Sequence, residues 1–379
     1  MLQFVNYLWG RLAIDWLLFS ATLPLLLAGL VTMNSFTADS YYFDRQLVWI
    51  AISFMVFLLA SLIDWRFLRR SGVVIFIYLA GLALLLVVAT VGQVTRNVES
   101  WLSFGGVSIQ PAEFMKLVVI IILAKYFTRR HIEIRNIRHI ILSGLYAAIP
   151  FVLVALQPDF GSALIIFGIW LGMTMVSGIS NKHLLFVFLV GAVSFWGLWG
   201  FVFADYQKDR IMTFIHPLAD IQGSGYNAFQ SMVAIGSGEI FGKGVGYGTQ
   251  SRLQFLPEHQ TDFIFAAFAE EWGYIGVLLV FLLFGIVVWR IIRNASHGAT
   301  NFEILFGMGL AILLMSHFII HVGMNVGLLP VTGLPIPFMS YGGSHLLTVW
   351  LGLGILMGMR RYGQAYHRDD VHNEFIGPR

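Results

Sequence analysis

The sequence predicts an all-α polytopic membrane protein, with about ten transmembrane helices and one large extracytoplasmic loop between helices 7 and 8. Composition and the spacing of apolar runs predict this fold class. Hydrophobic residues make up 58% of the 379 positions, charged residues make up only 11%, and the mean hydropathy is +0.79. A soluble domain carries about 25% charged residues, so this chain lacks the polar side chains that a water-facing surface needs.

The predicted helices follow from apolar runs long enough to cross a bilayer, which takes about 20 mostly apolar residues and a range of about 17–25. Ten runs qualify, and the fourth is the least apolar because it contains Glu113 and Lys116. The runs are residues 16–33, 47–63, 73–92, 111–127, 140–156, 160–177, 184–203, 263–289, 304–327 and 342–359. The first run is long enough to span the membrane, which predicts a retained helix rather than a removed signal peptide. Residues 1–379 are predicted to form a single integral membrane domain.

The distribution of basic residues predicts the orientation, because cytoplasmic segments carry an excess of Lys and Arg. With the N-terminus inside, 16 basic residues fall in inside segments, 6 fall in outside segments, and Lys116 lies within a span. Both termini are therefore predicted to be cytoplasmic. The net charge of +3 is too small and too scattered to indicate a nucleic-acid surface. The chain has no cysteine, which excludes disulfides, thiolate metal ligands and a thiol nucleophile.

Two connections between predicted helices stand out. Residues 204–262, predicted to lie outside, form the one long loop, and loops of that length are usually functional or disordered. This loop mixes aromatic, glycine and charged residues with amphipathic stretches such as 227–235, a pattern that favours an ordered functional segment. Residues 328–344 contain three prolines and three glycines, which predicts a stiff, non-helical segment before the last helix.

Ionisable residues inside membrane spans are costly, so each one indicates a candidate functional residue. Glu113 and Lys116 are three positions apart, which places them on one helix face where they can pair. Two interpretations are open for this pair. It is either a buried ion pair that fixes helix packing or a part of a substrate cavity.

Asp262 lies at the end of the long loop, in the run LPEHQTDFIFAAFAEEWGYIG, where the eighth helix is predicted to begin. A carboxylate there is partly desolvated and close to the positive end of the helix dipole. Either Asp262 or Thr261 is also suited to cap the helix, and capping does not exclude a functional role. Glu270 and Glu271 follow about two turns later and point in different directions, with no partner indicated by the sequence.

Other polar patterns in the chain are less informative. The run Gly236–Ser251 places six glycines around Lys243, but it lacks the Lys-Ser/Thr ending of a phosphate-binding loop, so a nucleotide site is rejected. His317 and His321 are four apart on one helix face. Their spacing favours a packed or hydrogen-bonded pair over a metal site.

Several segments, in order along nearly the whole chain, resemble the SEDS family (shape, elongation, division and sporulation). They are RQLVW at 45–49, SWLSFGGVSIQPAEFMKL at 100–117, QPDFGSAL at 157–164, DRIMTFIHP at 209–217, GYNAFQSMVAIGSG at 225–238, GKG and GTQS within 242–251, LPEHQTDFIF at 256–265 and GLLPVTGLPIPFMSYGGS at 327–344. Single short pieces of this kind are weak, but their combination in matching loops is highly specific. The chain departs from the family at Glu239, which stands where glycine is usual, and at Gln260, Ala112 and Glu99.

The resemblance implies a peptidoglycan glycosyltransferase that polymerises lipid II into glycan strands on the outer face of the bacterial cytoplasmic (inner) membrane. It implies a class B penicillin-binding protein, a transpeptidase, as partner, with lipid II and membrane lipid as the other contacts and no nucleic acid. The short N-terminus resembles the branch that serves cell elongation. Asp262 matches the family's essential loop aspartate, and Glu113 and Lys116 match its cavity acid and lysine. The substrate cavity is expected to include Arg45, Arg210, Lys243 and Ser231 as well.

The implied reaction needs a base for the attacking sugar hydroxyl and positive charge for the departing pyrophosphate. Asp262 is expected to be that general base, or else a ligand for a divalent cation, Mg or Mn; no other cofactor is expected. Lys116 and arginines of the outer loops are expected to supply the positive charge. The alternative function is a lipid II flippase, a transporter that would need polar groups along a full path across the bilayer.

Overall fold

The structure is a computed structural model that describes residues 14–35, 41–91, 93–95, 98–104, 107–128, 136–201, 205–216 and 225–374. Each of the ten predicted spans coincides with a helix. The helices are α1 (Trp16–Ser35), α2 (Tyr41–Leu62), α3 (Ser71–Val91), α4 (Pro111–Thr128), α5 (Ile137–Leu156), α6 (Phe160–Val176), α7 (Asn181–Phe201), α8 (Asp205–Ile215), α9 (Tyr226–Ser237), α10 (Thr249–Arg252), α11 (Ile264–Ser296), α12 (Asn301–Asn325) and α13 (Gly343–Glu374), with a 3₁₀ turn at Trp65–Arg69. The prediction of an all-α polytopic fold is confirmed.

Within the described residues, six helices are by themselves long and apolar enough to cross a membrane: α1, α2, α3, α5, α11 and α12. α6 and the apolar part of α7 are shorter. α4 carries Glu113, Lys116 and Lys125, which explains why it was the weakest span by sequence. It is nevertheless central, because 13 of its 18 residues are buried among α3, α6 and α12. A charged helix of this kind can cross a bilayer only where protein surrounds its ionisable groups.

A small β-structure between α3 and α4 was not predicted. Strands β1 (Gln93–Thr95), β2 (Val98–Phe104) and β3 (Val107–Ile109) pair antiparallel in the order β1-β2-β3. Arg96, one of the predicted outer cations, lies outside the described residues. Two of the three strands have only three residues, too few for a period of two to distinguish them from a loop.

The long connection between α7 and α11 contains α8, α9 and α10, while its residues 202–204 and 217–224 lie outside the described part of the chain. The amphipathic stretch 227–235, predicted only to be ordered, lies within the helix α9. Of the segment 328–344, which was predicted to be non-helical, residues 328–342 form no helix, whereas Gly343 and Ser344 begin α13. Because α11 begins and α12 ends beside these two connections, the polar loops gather at one end of the bundle.

Candidate active site

A cavity of about 330 Å³ opens at this end of the bundle. It lies between the first turns of α2, the β-strands, the start of α4, the residues before α11 and the segment before α13. Its lining residues are Tyr41, Tyr42, Arg45, Trp49, Trp101, Ser108, Gln110, Glu113, Thr261, Asp262, Gly333, Pro335, Tyr341, Gly342, Gly343, Ser344 and His345. Three residues that the sequence proposed for the site, Asp262, Arg45 and Glu113, therefore share one cavity.

Asp262 is half-buried at the wall of this cavity, just before α11. The N-cap residue of α11 is Phe263, whose own side chain forms no cap hydrogen bond, and Asn325 Oδ1 accepts from Ala266 N in the first turn at 3.3 Å. Thr261, the other predicted cap, instead donates its hydroxyl to Glu258 Oε2 at 3.1 Å. Neither Thr261 nor Asp262 is thus the N-cap residue of α11, and the Asp262 side chain lines the cavity.

Gly333 faces the carboxylate of Asp262 across a short gap. Its φ of +74° lies in the left-handed region that favours glycine, and a Cβ at this position would lie 3.4 Å from Asp262 Oδ2. A larger side chain would enter the space beside the carboxylate. Glycine at this position therefore keeps the cavity open next to Asp262.

Asn325, at the end of α12, fixes the backbone that carries Asp262. Its Nδ2 donates to Asp262 O at 3.0 Å and to His321 O at 2.8 Å. Ser231 of α9 donates its hydroxyl to Asn325 O at 2.9 Å. Ser231 is completely buried and does not line the cavity, so the structure places it behind Asp262 and not against a substrate.

The segment before α13 forms the wall next to Asp262 and is held from several sides. Ser340 donates its hydroxyl to Thr261 O at 2.8 Å, and Tyr341 N donates to Gln260 O at 3.0 Å. Gln46 of α2 donates its side-chain amide to Ser340 O at 3.1 Å. The non-helical backbone is thus satisfied by polar partners, as backbone at membrane depth must be.

The predicted pair on α4 is present, and it belongs to a larger buried cluster. Lys116 Nζ lies 2.5 Å from Glu113 Oε1, and Glu113 Oε2 lies 3.0 Å from His345 Nδ1. Lys116 Nζ is also 3.2 Å from His317 Nε2. Glu113 and His345 line the cavity, whereas Lys116 is completely buried behind them. The pair therefore contributes both to helix packing and to the cavity wall.

His317 and His321 each bind a backbone carbonyl, at Pro335 and Leu334 respectively. A carbonyl only accepts, so Nδ1 of His317 carries the proton and Nε2 accepts from the Lys116 ammonium. Each of the two histidines is thus hydrogen-bonded, although to a backbone carbonyl and not to the other histidine.

Two arrangements bear on whether the site suits a divalent cation. Among the described residues, the one group with three ligand atoms close enough for an ion is Glu113, His317 and His345, and Asp262 is not in it. Lys116 already places its ammonium between two of those ligands. Asp262 therefore offers a single carboxylate, which suits an ion held jointly with substrate phosphates, as Mg²⁺ commonly is.

Aromatic and basic side chains of the first turn of α2 line the cavity beside the segment before α13. The Arg45 guanidinium lies 4.5 Å from the ring centroid of Tyr41, and Tyr42 packs edge-on against Tyr341 with centroids 5.0 Å apart. Burial raises the pKa of the Tyr341 phenol, and its hydrogen bond to Arg45 acts in the opposite direction. Arg45 is exposed at this wall, so it is the cationic side chain best placed to meet an anionic substrate.

Arg210 and Lys243 lie away from this cavity. Arg210 lines a separate pocket of about 30 Å³ with Thr332 and Pro330. Lys243 Nζ is 2.8 Å from Glu270 Oε1 and donates to the Thr249 hydroxyl at 2.8 Å.

The glycine-rich run around Lys243 is docked on α11. Glu270 also accepts from Gln250 N at 3.0 Å, and Glu271 accepts from Gly246 N at 2.6 Å. Backbone amides of a glycine-rich segment often bind phosphate, but here they bind carboxylates of the same chain. This gives a structural reason for the rejection of a nucleotide site. It also identifies the partners of Glu270 and Glu271, which the sequence did not indicate.

Sequence reasoning missed His345, Tyr341, Gly333 and Asn325 as site residues. They lie far along the chain from Glu113 and in no regular spacing. The only signal available for three of them was their position in the motif at 327–344 or next to it.

Comparison with known proteins assigns the family. The FtsW/RodA/SpoVE family model, described as a cell cycle protein, matches residues 12–365. The chain belongs to the FtsW/RodA/SpoVE family. This is the SEDS family that the motifs indicated, and with its apolar helices the chain is a multi-pass membrane protein.

Individual members of the FtsW/RodA/SpoVE family align over nearly their whole length. Stage V sporulation protein E of Bacillus subtilis (strain 168) is 34% identical over 92% of this chain and 98% of that protein. Peptidoglycan glycosyltransferase MrdB of Escherichia coli (strain K12) is 32% identical over 93% of this chain and 95% of that protein. A chain in a solved structure described as "Structural coordination of polymerization and crosslinking by a peptidoglycan synthase complex" superposes with a TM-score of 0.80 at 28% identity, covering 93% of this chain and 99% of its own length.

Proposed function

We propose that the chain is a peptidoglycan glycosyltransferase that polymerises lipid II, with Asp262 as its general base. The observation that carries the proposal is the half-buried Asp262 carboxylate in a cavity that also contains Arg45 and Glu113. Membership of a family whose member MrdB is named a peptidoglycan glycosyltransferase supports the reaction class.

In the proposed reaction, the sugar 4-hydroxyl of the incoming lipid II attacks the anomeric carbon at the lipid-linked end of the growing strand. The new C1–O4 bond forms as the C1–O bond to the lipid pyrophosphate breaks, and Asp262 takes the hydroxyl proton. The pyrophosphate leaves as an anion. Arg45 is exposed at the cavity, whereas Lys116 is buried against Glu113, so we assign the stabilisation of the leaving group to Arg45.

A divalent cation is compatible with the same residues. Asp262 would hold it together with the substrate pyrophosphate, and the ion would supply charge neutralisation to the leaving group. Whether Asp262 acts as a base or as a cation ligand, its neighbours have the same roles. Asn325 fixes its backbone, and Gly333 leaves room beside its carboxylate.

An experiment in which the substrate is supplied to only one leaflet of the membrane tests the proposal. Purified protein is oriented in vesicles, and labelled lipid II is placed only in the leaflet that faces the Asp262 end. We expect glycan strands to form without label crossing the bilayer, and Asp262→Asn to abolish them. Asp209→Asn, the same change in exposed α8 of the same loop, serves as the matched control and should retain synthesis. Movement of labelled lipid across the bilayer without strand formation, lost in Asp262→Asn, would establish the flippase alternative instead.

The finer assignments form part of the same proposal. We infer that residues 1–379 act as one unit with both termini in the cytoplasm, that the partner is a class B penicillin-binding protein, and that the pathway is cell elongation. The similar chain in a complex described as coordinating polymerization and crosslinking supports a transpeptidase partner. Expression in cells depleted of their elongation glycosyltransferase should restore rod shape. Restored septa with persistent round cells would assign the chain to division.

A further inference from the structure

A second polar pocket lies at the other end of the 33-residue helix α11 from Asp262. Its volume is about 170 Å³, and its lining residues are Arg290, Arg293, Asn294, His297 and Arg360. Four of them belong to the last turns of α11 or follow it directly, and Arg360 comes from α13. The predicted orientation places this pocket at the cytoplasmic leaflet.

The pocket carries more positive charge than its neighbouring carboxylate neutralises. Asp15, just before α1, lies 2.6 Å from Arg290 Nη2 and accepts from Asn294 Nδ2 at 2.7 Å. Its other oxygen accepts the amides of Leu17 and Leu18 at the start of α1. Asp15 is thus fully engaged, and among the side chains that the structure describes one carboxylate faces three guanidinium groups.

Arg360 makes the longer of the two ion pairs with Asp15. Its Nη1 is buried without a hydrogen-bond acceptor, and the nearest ion-pair oxygen, Asp15 Oδ2, is 3.6 Å away. Burial lowers the pKa of the Arg360 guanidinium; Asp15 opposes this shift, and Arg290 and Arg293 add to it. A guanidinium stays charged in proteins, so a buried N–H donor without an acceptor is costly unless an external anion binds it.

The surroundings of the pocket suit the headgroup level of a membrane. The guanidinium groups of Arg290 and Arg293 each lie 5.4 Å from the ring centroid of Trp289. Trp289 and Ile292 are exposed beside the pocket, and Trp16 is exposed at the adjacent start of α1. Tryptophan concentrates at the membrane–water interface, and exposed apolar side chains next to it can contact acyl chains.

We propose that this pocket binds the phosphate of an anionic phospholipid headgroup. Arg side chains match phosphate oxygens with paired N–H donors, and basic pockets between helix ends are suited to anionic lipid headgroups. A soluble phosphate has the same anionic chemistry. The exposed Trp289 and Ile292 favour the lipid, because they can contact its acyl chains, whereas a free phosphate ion has no apolar part to contact them.

The test measures lipid binding to the purified, delipidated full chain in detergent by native mass spectrometry, with dioleoylphosphatidylglycerol as the probe. Arg293→Gln and Arg360→Gln should each weaken its apparent Kd about fivefold, since a basic residue near a membrane surface contributes about that factor. Phosphatidylcholine should bind more weakly and be unaffected. Arg66→Gln, the same change at an exposed arginine on the same predicted side, should alter the Kd less than about twofold.

Each remaining outcome decides the question. Arg293 forms no ion pair with a described carboxylate, so its variant should fold even if Arg360→Gln does not, and Arg293→Gln alone then decides. Equal weakening by Arg66→Gln and Arg293→Gln would mean non-specific attraction and overturn the site. Displacement of the lipid by millimolar inorganic phosphate would assign the pocket to a soluble anion. The readout is binding, so its failure leaves the proposed glycosyltransferase activity untouched.

Discussion

Asp262 and Glu270 lie eight positions apart and show two different uses of an acid near the membrane. Glu270 is completely buried, and the Lys243 ammonium, the Thr249 hydroxyl and the Gln250 amide all lie within 3.1 Å of one oxygen. Asp262 is half-buried and faces a cavity. The difference lies in what surrounds each acid: Glu270 is buried among donors of its own chain, whereas Asp262 lines a cavity that a substrate can enter. Glu270 binds the glycine-rich segment, and Asp262 forms part of the cavity wall.

The largest expected effect separates these two acids directly. Asp262→Asn should lower glycan synthesis by about 10²–10⁴-fold, the usual contribution of a general base, with little change in thermal stability. Glu270→Gln should instead lower the free energy of unfolding by about 1–3 kcal/mol, because it weakens a buried, charge-assisted network. Glycan strands on gels and thermal melts measure the two effects. A stable but inactive Glu270→Gln with an active Asp262→Asn would reverse our interpretation.

The Glu113–Lys116 pair allows a second test, of coupling. Either single change to Ala should cost about 3–5 kcal/mol of stability because it leaves a buried charge unpaired, while the double variant should cost less than the sum. The exposed pair Asp64 and Arg66 is the control and should show a coupling energy below about 1 kcal/mol. Additive losses at Glu113 and Lys116 would mean that their close contact has no energetic consequence.

Asn325 tests whether the position of Asp262 matters as well as its charge. Asn325→Ala removes the bond to Asp262 O and should cost about 1–3 kcal/mol of stability. If Asn325 positions Asp262, synthesis should also fall in protein that is still folded. Ser231→Ala, which loses a donor to Asn325 but leaves the Asp262 contact, is the matched control and should retain more activity. Full activity in folded Asn325→Ala would limit this residue to stability.

His259, in the turn before Asp262, should make stability depend on pH. Burial lowers the pKa of His259 below its usual value, so the folded state favours the neutral ring. As pH falls below about 6.5, the unfolded state binds the proton first, and stability should decline by at most about 1.4 kcal/mol per pH unit. Melting temperatures of His259→Gln between pH 7.5 and 5 should show a shallower decline. Equal slopes in both proteins would contradict the prediction.

The smallest expected effect is at Glu239, where the family usually has glycine. Its φ of +49° lies in the left-handed region, which costs a residue with a Cβ about 1 kcal/mol. Glu239→Gly should therefore stabilise the protein by up to about that amount in thermal melts. Glu239→Ala keeps the Cβ and should give no gain, and an equal gain from both changes would point to charge instead of backbone conformation.

What could be predicted from the sequence depended on how local each feature is. The spans follow from runs of adjacent apolar residues, and the contact of Glu113 with Lys116 follows from a spacing of three. The contact of Glu113 with His345 joins residues 232 positions apart, and the periodicity of a helix cannot predict a contact at that separation. For the same reason, Lys243 was expected at the substrate cavity, although the structure pairs it with Glu270. The membership of Asp262 in the site came from a family motif, and the cavity around it became visible only in three dimensions.

The segment before α13 also decides which way the cavity can widen. Its backbone is tied to α2 through Gln46 and to the Asp262 turn through Ser340 and Tyr341. This wall is therefore stiff, because a substrate that displaced it would break several buried hydrogen bonds. The side chains of Tyr41 and Arg45 in the first turn of α2 are exposed, so they change rotamer more readily than this backbone moves. A glycan strand that becomes too long for the cavity should consequently leave past the first turn of α2, because the side chains there move more easily than the segment before α13.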